Sequence, residues 1–453
     1  MILLFRLLLP YLLASFFVVK GTKEPIYLLG IPFLILMDDS VFFNKAKLFH
    51  IPNNLGPEIL FIWLVVLWIL SKIIRKNKEV GFLLNSGKLG ILDYCIIGLS
   101  ILSFSGFIMA SINYIDITNV FEEFFTQISI FASYFIIRNW TSENDPDVLV
   151  KFLFSLVVIN GIASFLYLLN QGLHVNIYED TAGVRDEFQG KDIFRAFYFM
   201  PPFFFFSIAF LLVFKEKKTF YSIILFSVNL LAIFFTYARS YLLIIIFLFL
   251  LYFMLTGIKK GKIELVLKNF SIFILGGILI FFLLSKIFPT GTGYFIGRFS
   301  EITPSQPSSQ DPNDLEFRWM NFGSIFSQMD ESSKIFGMGS VTEKQVPIFT
   351  EMNAINSDMV WTGVIFRWGL VGAILFAMLY IISIIRALNS YFNSEGILSD
   401  LALLFLLYIF SQTIESFVSS TFLSGHGFTI GLWYFAMLSA VLGFRKKADL
   451  AFN

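Results

Sequence analysis

Long apolar runs separated by short polar breaks dominate the chain. Several approach the roughly 20 residues that carry a helix across a bilayer. In order, they predict membrane helices over 3–19, 25–40, 58–75, 90–111, 118–137, 148–170, 196–214, 219–236, 240–257, 266–288, 359–384, 398–419 and 427–443. The first run has a single early cation, Arg6, and no small-residue cleavage site, so it reads as a membrane segment rather than a signal peptide. The second is short and contains Pro32, which leaves a re-entrant course open. The expected fold class is therefore all-α, a polytopic membrane protein with about 12 or 13 spans.

The breaks supply an orientation. Cations cluster at Lys72, Arg75, Lys76 and Lys78, then at Lys215, Lys217 and Lys218, at Lys259, Lys260 and Lys262, and at Arg445, Lys446 and Lys447. Loops rich in Lys and Arg stay cytoplasmic, and these alternate as a cytoplasmic set should. The 40 residues between Lys218 and Lys259 hold two spans and one tight turn, "TYARS". Arg239 is thereby expected at the outer membrane surface.

Two longer segments share that side, which divides the chain into five parts. These are N-terminal spans over 1–170, an outer loop over 171–195, central spans over 196–288, a large outer loop over 289–358 and C-terminal spans over 359–453. The large loop carries nine acids and four cations, so most of its charge reads as solvated surface. Its early part, "TPSQPSSQDPND", reads as linker. In "LEFRWMNFGSIFSQM", Leu315, Trp319, Phe322, Phe326 and Met329 recur at helical spacing, predicting an amphipathic helix against the bundle or the headgroups. "IFGMGS" follows, and Gly337 and Gly339 predict a tight turn where backbone approaches another group closely.

Composition agrees with the pattern. The chain has 453 residues, of which 57% are hydrophobic and only 14% charged, where soluble domains carry about 25% charged. The single cysteine, Cys95, excludes an internal disulfide, and His50, His174 and His426 lie too far apart for metal-ligand spacing. No metal and no cofactor are expected, and the net charge of +1 gives no reason to expect a nucleic acid.

The candidate chemistry lies in arginines expected at one membrane face. Arg195 closes the first outer loop, Arg239 sits in the outer turn, and Arg318 lies on the amphipathic helix. A planar guanidinium donates paired hydrogen bonds to phosphate and stays charged, so a lipid diphosphate suits this set. The plainer alternative is that each arginine anchors a span end by snorkelling. Trp319, Trp361, Trp368 and Tyr237 could offer stacking faces to a sugar, although aromatics in a chain with 59 Phe are more often core.

Four patches resemble the O-antigen ligase and polymerase superfamily of bacterial envelope enzymes. "TYARSYLLIIIFLFLL" is similar to that family's Thr-x-Ser-Arg-Ser/Gly turn and apolar span, with Ala238 where Ser is usual. "FRWMNFGSIF…IFGMGS" resembles its Arg-containing helix and glycine turn. "NSDMVWTGVIFRWGLVG" resembles its entry to a late span, and "FRAFYFMPPFFFF" its arginine entry to a proline-containing span. The resemblance covers about 180–380.

The resemblance implies a GT-C-like bundle and a metal-independent, inverting glycosyltransferase in the bacterial inner membrane. It would act at the outer face on an undecaprenyl-diphosphate-linked glycan, joining it to a second lipid-linked unit. A chain-length regulator is an expected partner. Arg195, Arg239 and Arg318 take the diphosphate roles, Arg185 and Arg298 are further candidates, and Asp358 stands where ligases have a histidine base. A carboxylate can take the proton when desolvation raises its pKa, although Asp358 also suits a plain helix N-terminal position.

Two alternatives remain open. A ligase would pass the glycan to another lipid, a core oligosaccharide or a protein. A flippase or other transporter would use acids inside spans, such as Glu122, Glu123 and Glu415, as ion paths. No half of the chain repeats the other, as many carriers do.

Overall fold

The computed structural model describes residues 12–13, 15–17, 19–20, 89–113, 117–143, 145–173, 183–188, 191–196, 201–214, 220–236, 238–287, 289–300, 315–339, 360–417, 431–432 and 434–441. The expected spans 25–40 and 58–75 and the linker at 303–314 lie outside them. Helices dominate, in the order α1 (Ile91–Asn113), α2 (Ile117–Glu143), α3 (Pro146–Leu173), α4 (Pro201–Val213), α5 (Phe220–Phe235), α6 (Arg239–Lys260), α7 (Ile263–Ile287), α8 (Pro289–Ser300), α9 (Leu315–Gln328), α10 (Glu331–Phe336), α11 (Val360–Asn393) and α12 (Gly396–Glu415). Residues 434–441 are also helical. Among the described residues, α1, α6, α7, α11 and α12 contain stretches long and apolar enough to cross a membrane, and α5 is a shorter apolar helix.

The predominantly helical, all-α expectation stands, and one segment between the helices differs from the loop expected there. Between α3 and α4, β1 (Gly183–Phe188) and β2 (Lys191–Ala196) pair as an antiparallel ribbon. The segment read as a plain loop over 171–195 thus satisfies part of its backbone through a ladder. The span expected from 196 begins instead at Pro201, because Ala196 still belongs to β2. Proline suits a helix start, where its missing N–H would have no intrahelical partner.

The chain divides into two compact units, Met1–Leu156 with Asn313–Asn453, and Val157–Pro312. In the first unit α11 is the hub, packing against α1, α9, α10 and α12. It corrects the single span expected over 359–384. Gly369 has φ 63° and ψ −164°, a conformation open in practice only to glycine, and it interrupts the helix. The rings of Trp361 and Phe376 lie 5.6 Å apart, whereas a straight helix would separate these positions by about 22 Å. Residues 360–368 therefore form a short arm folded back on the longer arm, 370–393. At its outer end this short arm is fixed by Val360 N–H to the Ser416 carbonyl (3.1 Å) and by Trp361 Nε1 to Ser416 Oγ (3.1 Å).

The break leaves carbonyls without their helical donors, and the expected glycine turn supplies them. Met338 N–H donates to the Phe366 carbonyl at 2.7 Å, and Gly339 N–H to the Arg367 carbonyl at 3.0 Å. Gly337 and Gly339 both have positive φ, 83° and 75°. A Cβ on Gly337 would overlap the Arg367 carbonyl, one on Gly369 the Ile335 carbonyl, and one on Gly339 the backbone of Gly106 in α1. The close approach predicted for Gly337 and Gly339 is thus present, and its partners are Gly106 and the break at Gly369.

The amphipathic helix is also present. Ile325 and Met329 are buried with Ile365 and Phe366, and Phe322 and Phe326 pack against them, while Met320 is exposed. Met338 joins this cluster to another formed by Ala110, Val120 and Phe107. The glycine strap therefore fixes α9 and α10 to the frame of the first unit.

Asp330 caps α10. Its carboxylate accepts from the Ser332 hydroxyl and from Ser333 N–H. The Ser332 hydrogen bond and then the Ser333 contacts hold its pKa below the ordinary aspartate value. A depressed folded pKa stabilises the cap above the unfolded pKa, and this is lost as pH falls through the folded value. Amide exchange across 331–336, corrected for intrinsic rates, should lose protection on acidification in the native protein but show a flatter profile in Asp330→Ala. Identical profiles would remove the cap's role.

The second unit contains α4 to α8, the ribbon and the later turns of α3. Its α6 and α7 form a tight hairpin. Gly261, at φ 63°, ends α6, and Lys262 N–H closes the turn onto the Gly257 carbonyl at 2.9 Å. Further along, the Phe249 and Phe273 rings stack at 3.9 Å. A buried polar knot ties α3, α4 and α5 together. Asn160 Nδ2 donates to Ser207 Oγ at 2.9 Å and to Asn229 Oδ1, and Asn229 Nδ2 donates to the Leu225 carbonyl at 2.8 Å. Such bonds average about 0.6 kcal/mol between membrane helices, and they define which faces meet.

Candidate functional site

The turn at Arg239 is built by its neighbours. After α5 ends at Phe235, Thr236 Oγ1 donates to the Ile233 carbonyl at 2.7 Å and accepts from Ala238 N–H at 3.3 Å. Thr236 is buried, so the turn is pinned from inside. Ala238 takes the N-cap position with φ −84° and ψ 111°, and α6 begins at Arg239. Alanine has no side-chain acceptor, so the N-cap residue itself makes no side-chain cap hydrogen bond. Tyr241 N–H turns back onto the Ala238 carbonyl at 3.2 Å, and the helix dipole leaves partial positive charge at this end of α6. An anion is the natural complement to such an end.

The other sequence-predicted positions divide between the units. Arg185 and Arg195 occupy adjacent rungs of the ribbon, where Arg185 pairs with Phe194 and Arg195 with Val184. Arg298 lies near the end of α8. These three and Arg239 belong to the second unit, whereas Arg318 lies in the first turn of α9 in the first unit. The structure thus joins Arg185 and Arg195 in one ribbon. Asp358 lies outside the described residues.

Among the described residues, no group of three His, Cys, Asp or Glu side chains could hold a metal ion. Of the aromatics weighed for sugar stacking, Trp368 is fully buried, and its Nε1 donates to Ser103 Oγ at 2.8 Å, so it is a core residue. Of the acids weighed as ion paths, Glu122 and Glu123 lie in α2. Glu415 is fully buried at the end of α12, accepts from Gln412 Nε2 at 3.0 Å, and lies within electrostatic reach of Tyr380 and Tyr408.

One charged group was not singled out from the sequence. Asp93, fully buried in the first turn of α1, accepts from Gly90 N–H at 2.6 Å and from the Tyr134 hydroxyl at 2.9 Å. Arg138 Nε lies 3.2 Å from Asp93 Oδ1. The available signal was a charge of each sign at the ends of neighbouring apolar runs, which membrane helices tend to pair.

No protein-family model matches the chain, and no curated protein matches it.

Proposed function

We propose that the protein is a membrane glycan polymerase that transfers oligosaccharide from an undecaprenyl diphosphate carrier onto a second lipid-linked unit at the outer membrane face. The reading rests on the Arg239 turn, where an arginine opens an apolar helix whose N-cap residue, Ala238, offers no side-chain acceptor. The arginines on the ribbon and on α8, in the same unit, are consistent with it.

In this reading an acceptor hydroxyl oxygen attacks the anomeric carbon. The bond from that carbon to the diphosphate oxygen breaks, and the diphosphate leaves with the electron pair. Arg239 and the positive end of the α6 dipole stabilise the charge that develops on it. Arg195 holds the diphosphate, with Arg185 and Arg298 as additional binding residues in the same unit. The hydroxyl proton passes to Asp358, whose carboxylate serves as base.

The test is a reconstitution with purified protein and one lipid-diphosphate-linked oligosaccharide. A ladder of growing glycans is expected. Transfer only after a separate lipid or protein acceptor is added would replace the polymerase reading with a ligase. Arg239→Ala should slow turnover by roughly 100- to 1,000-fold, the usual cost of losing one stabilising donor. Unchanged turnover in the folded variant would remove Arg239 from the mechanism.

A further inference from the structure

The Asp93 group contains more positive charge than its carboxylate balances. The two oxygens of Asp93 already accept from Gly90 N–H and Tyr134 and face Arg138. A second guanidinium approaches from α11. The Nη1 and Nη2 of Arg386 lie 3.4 and 3.9 Å from where a Cβ on Gly90 would sit, and Asp93 Oδ2 lies 3.5 Å from the same point. Arg386 is half-buried and makes no hydrogen bond or ion pair among the described residues. Two guanidiniums thus face one carboxylate that is already engaged. Arg386 retains its fork of N–H donors, and Gly90 leaves open the volume that a side chain would fill.

The location indicates what could complete the group. Asp93 lies about 20 Å along α1 from the strap contact at Gly106, and Arg386 about 25 Å along α11 from the break at Gly369. The group therefore sits at the end of the first unit remote from the strap. A bilayer hydrocarbon core is about 30 Å thick, so a helix pair holding the strap near one surface brings this end near the opposite headgroup layer. Basic pockets between membrane helices at that depth take lipid phosphates.

We infer that Arg386, with Arg138 behind it, forms a binding site for a phosphate-bearing anion at this end of the first unit, supplied by an anionic lipid headgroup or by free phosphate. Arg386 is the contacting residue. Asp93 and Tyr134 are positioning residues that hold Arg138 and keep the local charge at one net positive. The site does not depend on the glycosyltransferase reading, because it uses none of that reading's residues.

The experiment uses the full-length purified protein in neutral detergent. Dioleoyl phosphatidylglycerol, dioleoyl phosphatidylcholine and inorganic phosphate are titrated separately, with retention in native mass spectrometry and melting temperature as readouts. Phosphatidylglycerol should be retained and raise the melting temperature more than phosphatidylcholine. Arg386→Gln should weaken this binding roughly fivefold. Lys286→Gln, at the end of α7, should leave it unchanged. A response to inorganic phosphate alone, also lost in Arg386→Gln, would support the site and assign a free ligand. Equal responses in wild type and Arg386→Gln, or none in wild type, would overturn it. If Arg386→Gln does not fold, Arg386→Lys decides the matter. It keeps the charge and stem but loses the planar fork, so it should bind more weakly than wild type, and binding equal to wild type would count against the site.

Discussion

Gly339→Ala unseats the strap of the first unit and destabilises it by about 2–5 kcal/mol. Two costs combine. The backbone at Gly339 has φ 75°, where an L side chain costs about 1–2 kcal/mol. The new Cβ would also overlap the backbone of Gly106. Backbone cannot rotate away as a side chain can, so the strap must lift. Lifting it breaks the 3.0 Å bond from Gly339 N–H to the Arg367 carbonyl. A buried acceptor left unpaired at the break costs about 1–3 kcal/mol more. The chain carries its own reporter, because its single cysteine, Cys95, is buried on α1, the helix the strap touches. Maleimide labelling of Cys95 under native conditions should accelerate by at least roughly 30-fold in Gly339→Ala, the equivalent of about 2 kcal/mol. Gly323→Ala is the opposing control. That glycine lies in α9 at an exposed position where a Cβ would meet nothing, so alanine there should slow labelling slightly or leave it unchanged. Equal labelling in Gly339→Ala and wild type would show that the strap does not hold the unit together.

Asp93→Ala should destabilise the same unit by about 3–5 kcal/mol, for an electrostatic reason. Arg138 is only 7% exposed, and Asp93 is the acid beside it. Alanine leaves a guanidinium in an apolar setting and also removes the acceptor for the Tyr134 hydroxyl and for Gly90 N–H. Asp93→Asn keeps one acceptor oxygen and most of the volume, but it loses the charge and one of the two acceptors that Gly90 N–H and the Tyr134 hydroxyl use. Unfolding in mixed micelles, followed through Cys95 accessibility, should rank the proteins as wild type, Asp93→Asn, then Asp93→Ala. The double variant Asp93→Ala/Arg138→Met should recover much of the loss, because it removes the stranded charge. If the double variant is as unstable as Asp93→Ala, packing rather than charge explains the effect.

Much of the fold could be read along the chain. Helix positions followed from runs of apolar residues, since a membrane helix must satisfy its backbone internally and present apolar side chains over its length. The α9 helix followed from Phe322, Phe326 and Met329 at helical spacing, and the close approach at Gly337 and Gly339 from glycine's lack of a Cβ. The tight turn before Arg239 followed from the length available between two basic clusters. Each of these is a local property, set by neighbours within a few residues.

Other features depended on partners distant in sequence. The run from 360 to 393 is mostly apolar, and its hydropathy is the same whether the helix is straight or folded at Gly369. The fold becomes possible because Met338 and Gly339 supply donors to the Phe366 and Arg367 carbonyls. The ribbon over 183–196 was hidden because pairing, not propensity, makes short polar strands stable. Asp93, Arg138 and Arg386 each read alone as a charge near a span end, and only the packing of α1, α2 and α11 brings them into one group. Read along the chain alone, the residues specify helices, an arginine at the start of α6 and glycines where backbones would meet. The tertiary structure decided which backbones meet and which charges share a site, because hydrogen bonds and ion pairs between helices depend on register in space and leave no period in the sequence.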